Sequence, residues 1–293
     1  MFAEIKGTER KKARAAYRRT FFWGLMAVGA LVSLNRFTDY LSILKPATEQ
    51  QTKGCVQSYD DDTLRIAIIG DSWAEYHADR HGSCDTLFAK EAATYISTPV
   101  ICRIWGRAGA LTNQVYYDLL NGKDNEAYGM QTPLAWHPDY CVIMTGINDL
   151  LKKRSTDDYV ADYNLIVQCL LRHGICPVVM DVPTVDVEWV VSNRAFYKRW
   201  IQYVIAQVAG TYSTDVQAFR QALRDMLKTT GLRDSVLFIA ANDWTPKGWQ
   251  DTTCYRKDRL HLNDRGYQML DSYLAKEILR HVSAVNGNRT ADK

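Results

Sequence analysis

Ser72 stands directly after the apolar run Leu64–Gly70, in the stretch LRIAIIGDS. A serine hydroxyl becomes a nucleophile only with a base beside it, a group that orients the base, and donors for the oxyanion that forms on attack. Asp258 and His261, in DRLHL, are three residues apart. One turn of chain sets that carboxylate beside the imidazole, where it can hold Nδ1–H and leave Nε2 free as a base. Asn148, in TGIND, brings a side-chain amide donor. Gly109, in WGRAGALT, lets a backbone N–H approach a ligand closely, although Gly106 in the same stretch competes for that part. Together such residues would carry out acyl transfer through a covalent serine ester. Each also has an ordinary use in a turn, a helix cap or a solvated surface. Asp71 is expected to hold the turn before Ser72. Asp149 and Asp243 lack a histidine three residues on. His77, His81 and His137 are expected as surface or capping histidines.

These groups converge only if rigid elements bring them together. The runs LRIAIIG, PVICRIWG, DYCVIMTG, CPVVMDVP and SVLFIAA are nearly continuous in apolar residues. Such runs fit strands covered on both faces. Between them lie CDTLFAKEAATYI, TNQVYYDLL, DDYVADYNLIVQCLLRHG and the region from about 188 to 230, with apolar spacings of three and four. The last segment, NDRGYQMLDSYLAKEILRHV, is amphipathic and opens on a capping Asn or Asp. Alternation of strands with helices predicts an α/β domain with a mainly parallel five-stranded sheet. Ligands of such sheets bind at the carboxyl ends of the strands, where Ser72, Gly109 and Asn148 fall.

The chain of 293 residues is 47% hydrophobic and 24% charged, enough for a large core. Its net charge of +3 is too small to argue for nucleic acid, and removing the net +5 of residues 1–19 leaves −2 for the rest. That basic segment precedes a charge-free run over 20–34. From Phe21 the run spans about 21 Å as a helix, short of a ~30 Å hydrocarbon core. It reads as a signal anchor or as the apolar part of a cleaved signal. The basic flank predicts a cytoplasmic N-terminus and an exported domain, membrane-anchored or secreted. Residues 35–60 read as a linker, 61–285 as the domain and 286–293 as a flexible tail. The seven cysteines contain no CxxC, so a zinc site is not expected. Cys141 and Cys176 read as buried thiols, and an exported domain would allow disulfides among Cys55, Cys84, Cys102 and Cys254.

The order Ser72, Gly109, Asn148, Asp258/His261 resembles the four sequence blocks of the SGNH hydrolase superfamily, the GDSL-type esterases and lipases. The blocks here are GDS, GRAG, GIND and DRLH, spread over most of residues 64–281. The resemblance implies a flavodoxin-like three-layer α/β/α sandwich without metal or organic cofactor. It implies Ser72 as nucleophile and His261 as base, oriented by Asp258. The oxyanion donors would be the N–H groups of Ser72 and Gly109 and the Asn148 amide. The fourth GDSL residue is usually Leu; Trp73 replaces it here, a departure that bears on substrate preference. No G-x-S-x-G is present, which disfavours an α/β-hydrolase elbow. Trp73, Trp105 and Trp244, near strand ends, could stack on sugar rings, as could Trp136 and Trp249. The expected activity is removal of a small acyl group, acetyl foremost, from a carbohydrate or similar substrate. The alternatives are an O-acyltransferase with the same triad and a non-catalytic glycan-binding module.

Overall fold

The computed structural model describes residues 22–24, 26, 30, 33–34, 41–50, 62–78, 83–95, 97–122, 132–194, 199 and 215–291. The chain divides into two units, Met1–Lys45 and Pro46–Lys293. In the first, residues 22–24, 26, 30, 33–34 and 41–43 are helical, and Phe22, Trp23, Met26 and Leu34 are exposed. Most of the expected signal segment, 20–34, lies outside the described residues. Among those described, no helix is long and apolar enough to cross a membrane.

The second unit is built on five strands: β1 (Leu64–Gly70), β2 (Val100–Gly106), β3 (Tyr140–Met144), β4 (Cys176–Met180) and β5 (Leu237–Ile239). All pair in parallel, in the order β2-β1-β3-β4-β5. Each expected apolar run contains one strand. Ile66, Ala67 and Ile68 of β1, and Cys141, Val142 and Ile143 of β3, are wholly inaccessible. That burial is why the runs do not alternate with polar residues.

The helices are α1 (Ser72–Ala78), α2 (Ser83–Tyr95), α3 (Thr112–Asn121), α4 (Ile147–Leu151), α5 (Thr156–Arg172), α6 (Val187–Ser192), α7 (Val216–Thr229), α8 (Ala241–Trp244) and α9 (Asp264–Ala291). One layer pairs α2 with α9, and the other sets α5 between α3 and α7. Ser155 caps α5 by accepting from the Asp158 N–H, and Asp215 caps α7. Asn263 Oδ1 accepts the Gly266 N–H at the entry to α9, as its position before that helix predicts. Part of the expected linker docks on the domain: the Ala47 N–H donates to Asp162 and the Gln50 N–H to the Tyr116 hydroxyl. Residues 286–291, expected as a flexible tail, continue α9.

The strand order puts β1 at the point where the chain switches sides of the sheet, with β2 on one flank and β3 on the other. Ligand crevices of doubly wound sheets open at that point. Gly70, Gly106 and Met144 end the three strands in one register, so their following turns emerge side by side.

Candidate active site

Asp71 anchors the turn that presents Ser72. Its N–H donates to the Met144 carbonyl, and its Oδ1 accepts the Trp73 N–H at 3.0 Å, capping α1. Ser72 therefore occupies the first position of α1, where its own N–H has no helical acceptor. The Ser72 hydroxyl lies 2.9 Å from His261 Nε2. His261 Nδ1 lies 2.7 Å from Asp258 Oδ2, and Asp258 Oδ1 accepts the N–H groups of Leu260 and His261, each at 3.0 Å. Burial alone would push the Asp258 carboxyl upward. The hydrogen bonds from His261 and Leu260 outweigh it and hold the group below the usual carboxylate range. An ionised Asp258 places the imidazole proton on Nδ1, so Nε2 accepts the serine O–H.

The loop bearing this pair is fixed on both sides. Tyr255 bridges Leu262 antiparallel, and the Arg256 N–H donates to the His261 carbonyl. Arg259 takes a φ of 52°, in the left-handed region. Its guanidinium pairs with Asp186 at 2.8 Å and sits over the rings of Trp189 and Trp249.

Gly109 and Gly106 resolve into different parts. A Cβ on Gly106 would lie 2.1 Å from the Glu75 backbone nitrogen, so that glycine serves the close packing of β2 against α1. Gly109 has a φ of 77° and open space where a Cβ would stand. In its loop the N–H groups of Arg107, Ala108, Ala110, Leu111 and Thr112 are all taken: by Gly70 O, the Glu75 carboxylate, Arg107 O, Gln114 and Asp149. The Gly109 N–H makes no such donation among the described residues, which leaves it to a ligand. Its carbonyl accepts from Lys152 Nζ at 2.8 Å. Burial holds that ammonium below the usual lysine range. Asn148, in the first turn of α4, gives one amide hydrogen to Asp71 Oδ2 at 3.1 Å, which leaves its second for another acceptor. Burial pushes Asp71 up to about 7, against the hydrogen bonds from Trp73 and Asn148 and the charge of Lys152.

The structure thus gathers Ser72, His261 and Asp258 into one relay, with Asn148 attached to the Ser72 turn through Asp71. Gly109 lies in the loop that Glu75 of α1 clamps. Asp71 does more than the turn-holding its position implied, since it also aims the Asn148 amide. Glu75, Lys152 and Tyr76, whose ring meets the His261 ring edge-on at 4.8 Å, were not readable as site residues. Glu75 and Tyr76 are ordinary helical residues and Lys152 an ordinary turn lysine, and only the fold brings them to the site.

The tryptophans expected as a sugar platform lie elsewhere. Trp73, Trp105 and Trp244 are 2, 7 and 5% exposed and belong to the core, Trp73 packing edge-on against Trp244 and Tyr255. Trp136 packs at a tilt against Trp105, and Trp249 remains half-buried at the surface. His77 is not a surface residue: it is fully buried, with Nε2 bonded to Asp271 of α9. His137 caps the turn Leu134–Trp136, and His81 lies outside the described residues. Cys102, Cys141, Cys169, Cys176 and Cys254 are free thiols, so neither Cys102 nor Cys254 takes part in a disulfide. Cys55 and the side chain of Cys84 lie outside the described residues. Among the described residues no three His, Cys, Asp or Glu side chains gather as metal ligands.

The family model for the GDSL-like lipase/acylhydrolase family matches residues 68–269. No curated protein matches the chain. Similar solved structures include a GDSL-like lipase from Bacteroides thetaiotaomicron, at 14% identity and a TM-score of 0.51, covering 84% of this chain and 98% of that one. The lipase/acylhydrolase from Enterococcus faecalis aligns at 15% identity and a TM-score of 0.52, over 74% of this chain and 96% of its own. The acetyl xylan esterase AlAXEase aligns at 16% identity and a TM-score of 0.50, over 75% of this chain and all of its own. At such identities the structures speak for the fold alone, whereas the family match runs from within β1 into α9 and encloses Ser72, Gly109, Asn148, Asp258 and His261. The chain belongs to the GDSL-like lipase/acylhydrolase family and is a serine ester hydrolase.

Proposed function

We propose that this enzyme removes a small acyl group, acetyl above all, from a carbohydrate hydroxyl. The observation that carries the proposal is the unbroken relay from Ser72 Oγ through His261 to Asp258, at 2.9 and 2.7 Å. Ser72 Oγ adds to the ester carbonyl while His261 Nε2 takes its proton. The resulting oxyanion meets the N–H groups of Ser72 and Gly109 and the second amide hydrogen of Asn148. Collapse expels the sugar alkoxide, which leaves with the proton from His261. Water, deprotonated by the same nitrogen, then adds to the acyl-serine and frees the acid and Ser72.

The acetyl reading draws on the acetyl xylan esterase among the similar folds. Water as acceptor, rather than a second sugar as in an acyltransferase, is favoured by the openness of the relay, whose Asp258 side chain is 44% exposed. A binding module would have no use for a base behind a serine. Membrane anchorage through residues 20–34, with the domain exported, completes the proposal and rests on the basic segment before that apolar run.

The test is acetate release from acetylated polysaccharides, beside nitrophenyl esters of increasing chain length. Release of acetate with a steep fall beyond short chains supports the reading; preference for long chains overturns it. Transfer of acetyl to an added sugar in place of release would make the enzyme a transferase. Protease added to sealed cells should digest the domain, and full protection would overturn export.

A further inference from the structure

The loop that carries Asp258 and His261 also carries Arg256, Lys257 and Arg259. Arg259 is committed to Asp186 and to the rings of Trp189 and Trp249. Arg256 and Lys257 are exposed, and no carboxylate pairs with either among the described residues. The acids of the same loop are occupied: Asp258 by His261 and Leu260, Asp251 by Thr253. Arg256 is nevertheless held in place. Its guanidinium carbon lies 4.9 Å from the Tyr76 ring centroid, and that ring lies 4.8 Å from the His261 ring. The guanidinium is therefore within about 10 Å of the imidazole, near one Debye length at physiological salt. Beside it opens a cavity of about 410 Å³ bordered by Trp249, Thr252, Tyr255, Arg256, Lys257 and Arg259. That volume is in the range of sites that take small ligands.

The geometry points to a subsite in which Arg256 and Lys257 bind an anionic group, carboxylate or phosphate, on the saccharide whose ester Ser72 cleaves; this rests on the esterase reading above. A concave site with an aromatic side and two uncompensated cations is suited to an acidic sugar. The planar guanidinium can engage an oxyanion through two parallel hydrogen bonds, with the ammonium adding a second charge.

Three substrates test this on the full chain: an acetylated neutral xylo-oligosaccharide, an acetylated oligosaccharide of equal length bearing glucuronate, and an acetylated sugar phosphate. One of the two anionic substrates should exceed the neutral one in kcat/KM by about tenfold, and added NaCl should shrink that advantage. Which of them is preferred tells carboxylate from phosphate. Arg256→Gln combined with Lys257→Gln should bring the anionic-to-neutral ratio near one, and Arg256→Lys should retain part of it. Equal rates on charged and neutral substrates, or a ratio that the double variant leaves unmoved, would overturn the subsite. Failure to hydrolyse any acetate would instead overturn the esterase reading. The subsite is then decided by calorimetric binding of the glucuronate oligosaccharide and the sugar phosphate to Ser72→Ala protein. Salt-sensitive binding lost in the double variant supports it, and absent or charge-independent binding overturns it.

Discussion

Two histidine–aspartate pairs stand among the described residues, and they differ in almost every respect. His261 and Asp258 lie three residues apart on a surface loop, with side chains 13 and 44% exposed. His77 and Asp271 are 194 residues apart, join α1 to α9, and are wholly buried. In the first pair the carboxylate holds Nδ1, and Nε2 faces the Ser72 hydroxyl. In the second the carboxylate holds Nε2, Nδ1 has no hydrogen-bond partner among the described residues, and the ring packs on Tyr267. A base needs a lone pair aimed at a proton and a way for water to follow, and only the loop pair has both. The buried pair fastens two helices.

Substitutions can erase or sharpen that difference. The largest effect belongs to Ser72→Ala, which leaves His261 without a nucleophile and reduces the loop pair to the condition of the buried one. Its kcat should fall by about 10⁴ to 10⁶. The urea midpoint should not move, and a fluorophosphonate probe should lose its label. Wild-type turnover in the folded variant would exclude Ser72 as nucleophile.

Next come the two carboxylates, exchanged for amides one at a time. Asp258→Asn should lower kcat by about 10² to 10⁴, because the imidazole loses its preferred tautomer. Stability should change less than in the buried pair, since that side chain is 44% exposed. Asp271→Asn should do the reverse, costing about 3–5 kcal/mol of stability through the broken buried pair while turnover per folded molecule stays near wild type. Paired denaturation and rate measurements on both variants decide; equal losses of activity in the two would erase the distinction drawn here.

Asn148→Ala tests the donor beside the exposed pair. A drop of about 10² to 10³ in kcat with little change in KM is expected for an oxyanion donor. A large rise in KM at constant kcat would make Asn148 a substrate-binding residue instead.

The smallest effect concerns Asp71, a buried acid with no histidine at all. Its folded-state value, pushed up to about 7, lies above the 3.8 of an ordinary carboxyl. A raised acid contributes stability that is complete below the ordinary value and is lost as pH rises through the folded one. Wild type should therefore lose stability between about pH 4 and pH 7. Asp71→Asn removes that dependence and should give a flatter profile of stability against pH across the window. Urea titrations at three pH values would show it, and parallel curves for the two proteins would contradict it.

Much of this was legible in the chain. The runs around Ile66–Ile69 and Val142–Met144 declared central strands because nothing polar interrupts them, and the short spacing of Asp258 and His261 declared a local pair. His77 was misjudged because its partner is remote in sequence and a lone histidine on a polar helix looks solvated. Trp73, Trp105 and Trp244 were misjudged because a large aromatic near a strand end suits a core slot as well as a sugar platform, and only packing decides. Lys152 gave no signal: its contact with the Gly109 carbonyl depends on how β2 and β3 flank β1. The expected helical region over 188–230 holds α6 and α7, and most of what lies between them is outside the described residues.

The separation of Ser72 from His261 by 189 residues also has a consequence in time. Chains emerge from the ribosome N-terminus first. Ser72, Gly109 and Asn148 are all made long before the base exists. A nascent chain can therefore assemble the nucleophile turn and the oxyanion donors while remaining inert. Catalytic power arrives with the last stretch of synthesis, when the loop before α9 brings its acid and base together in a single step.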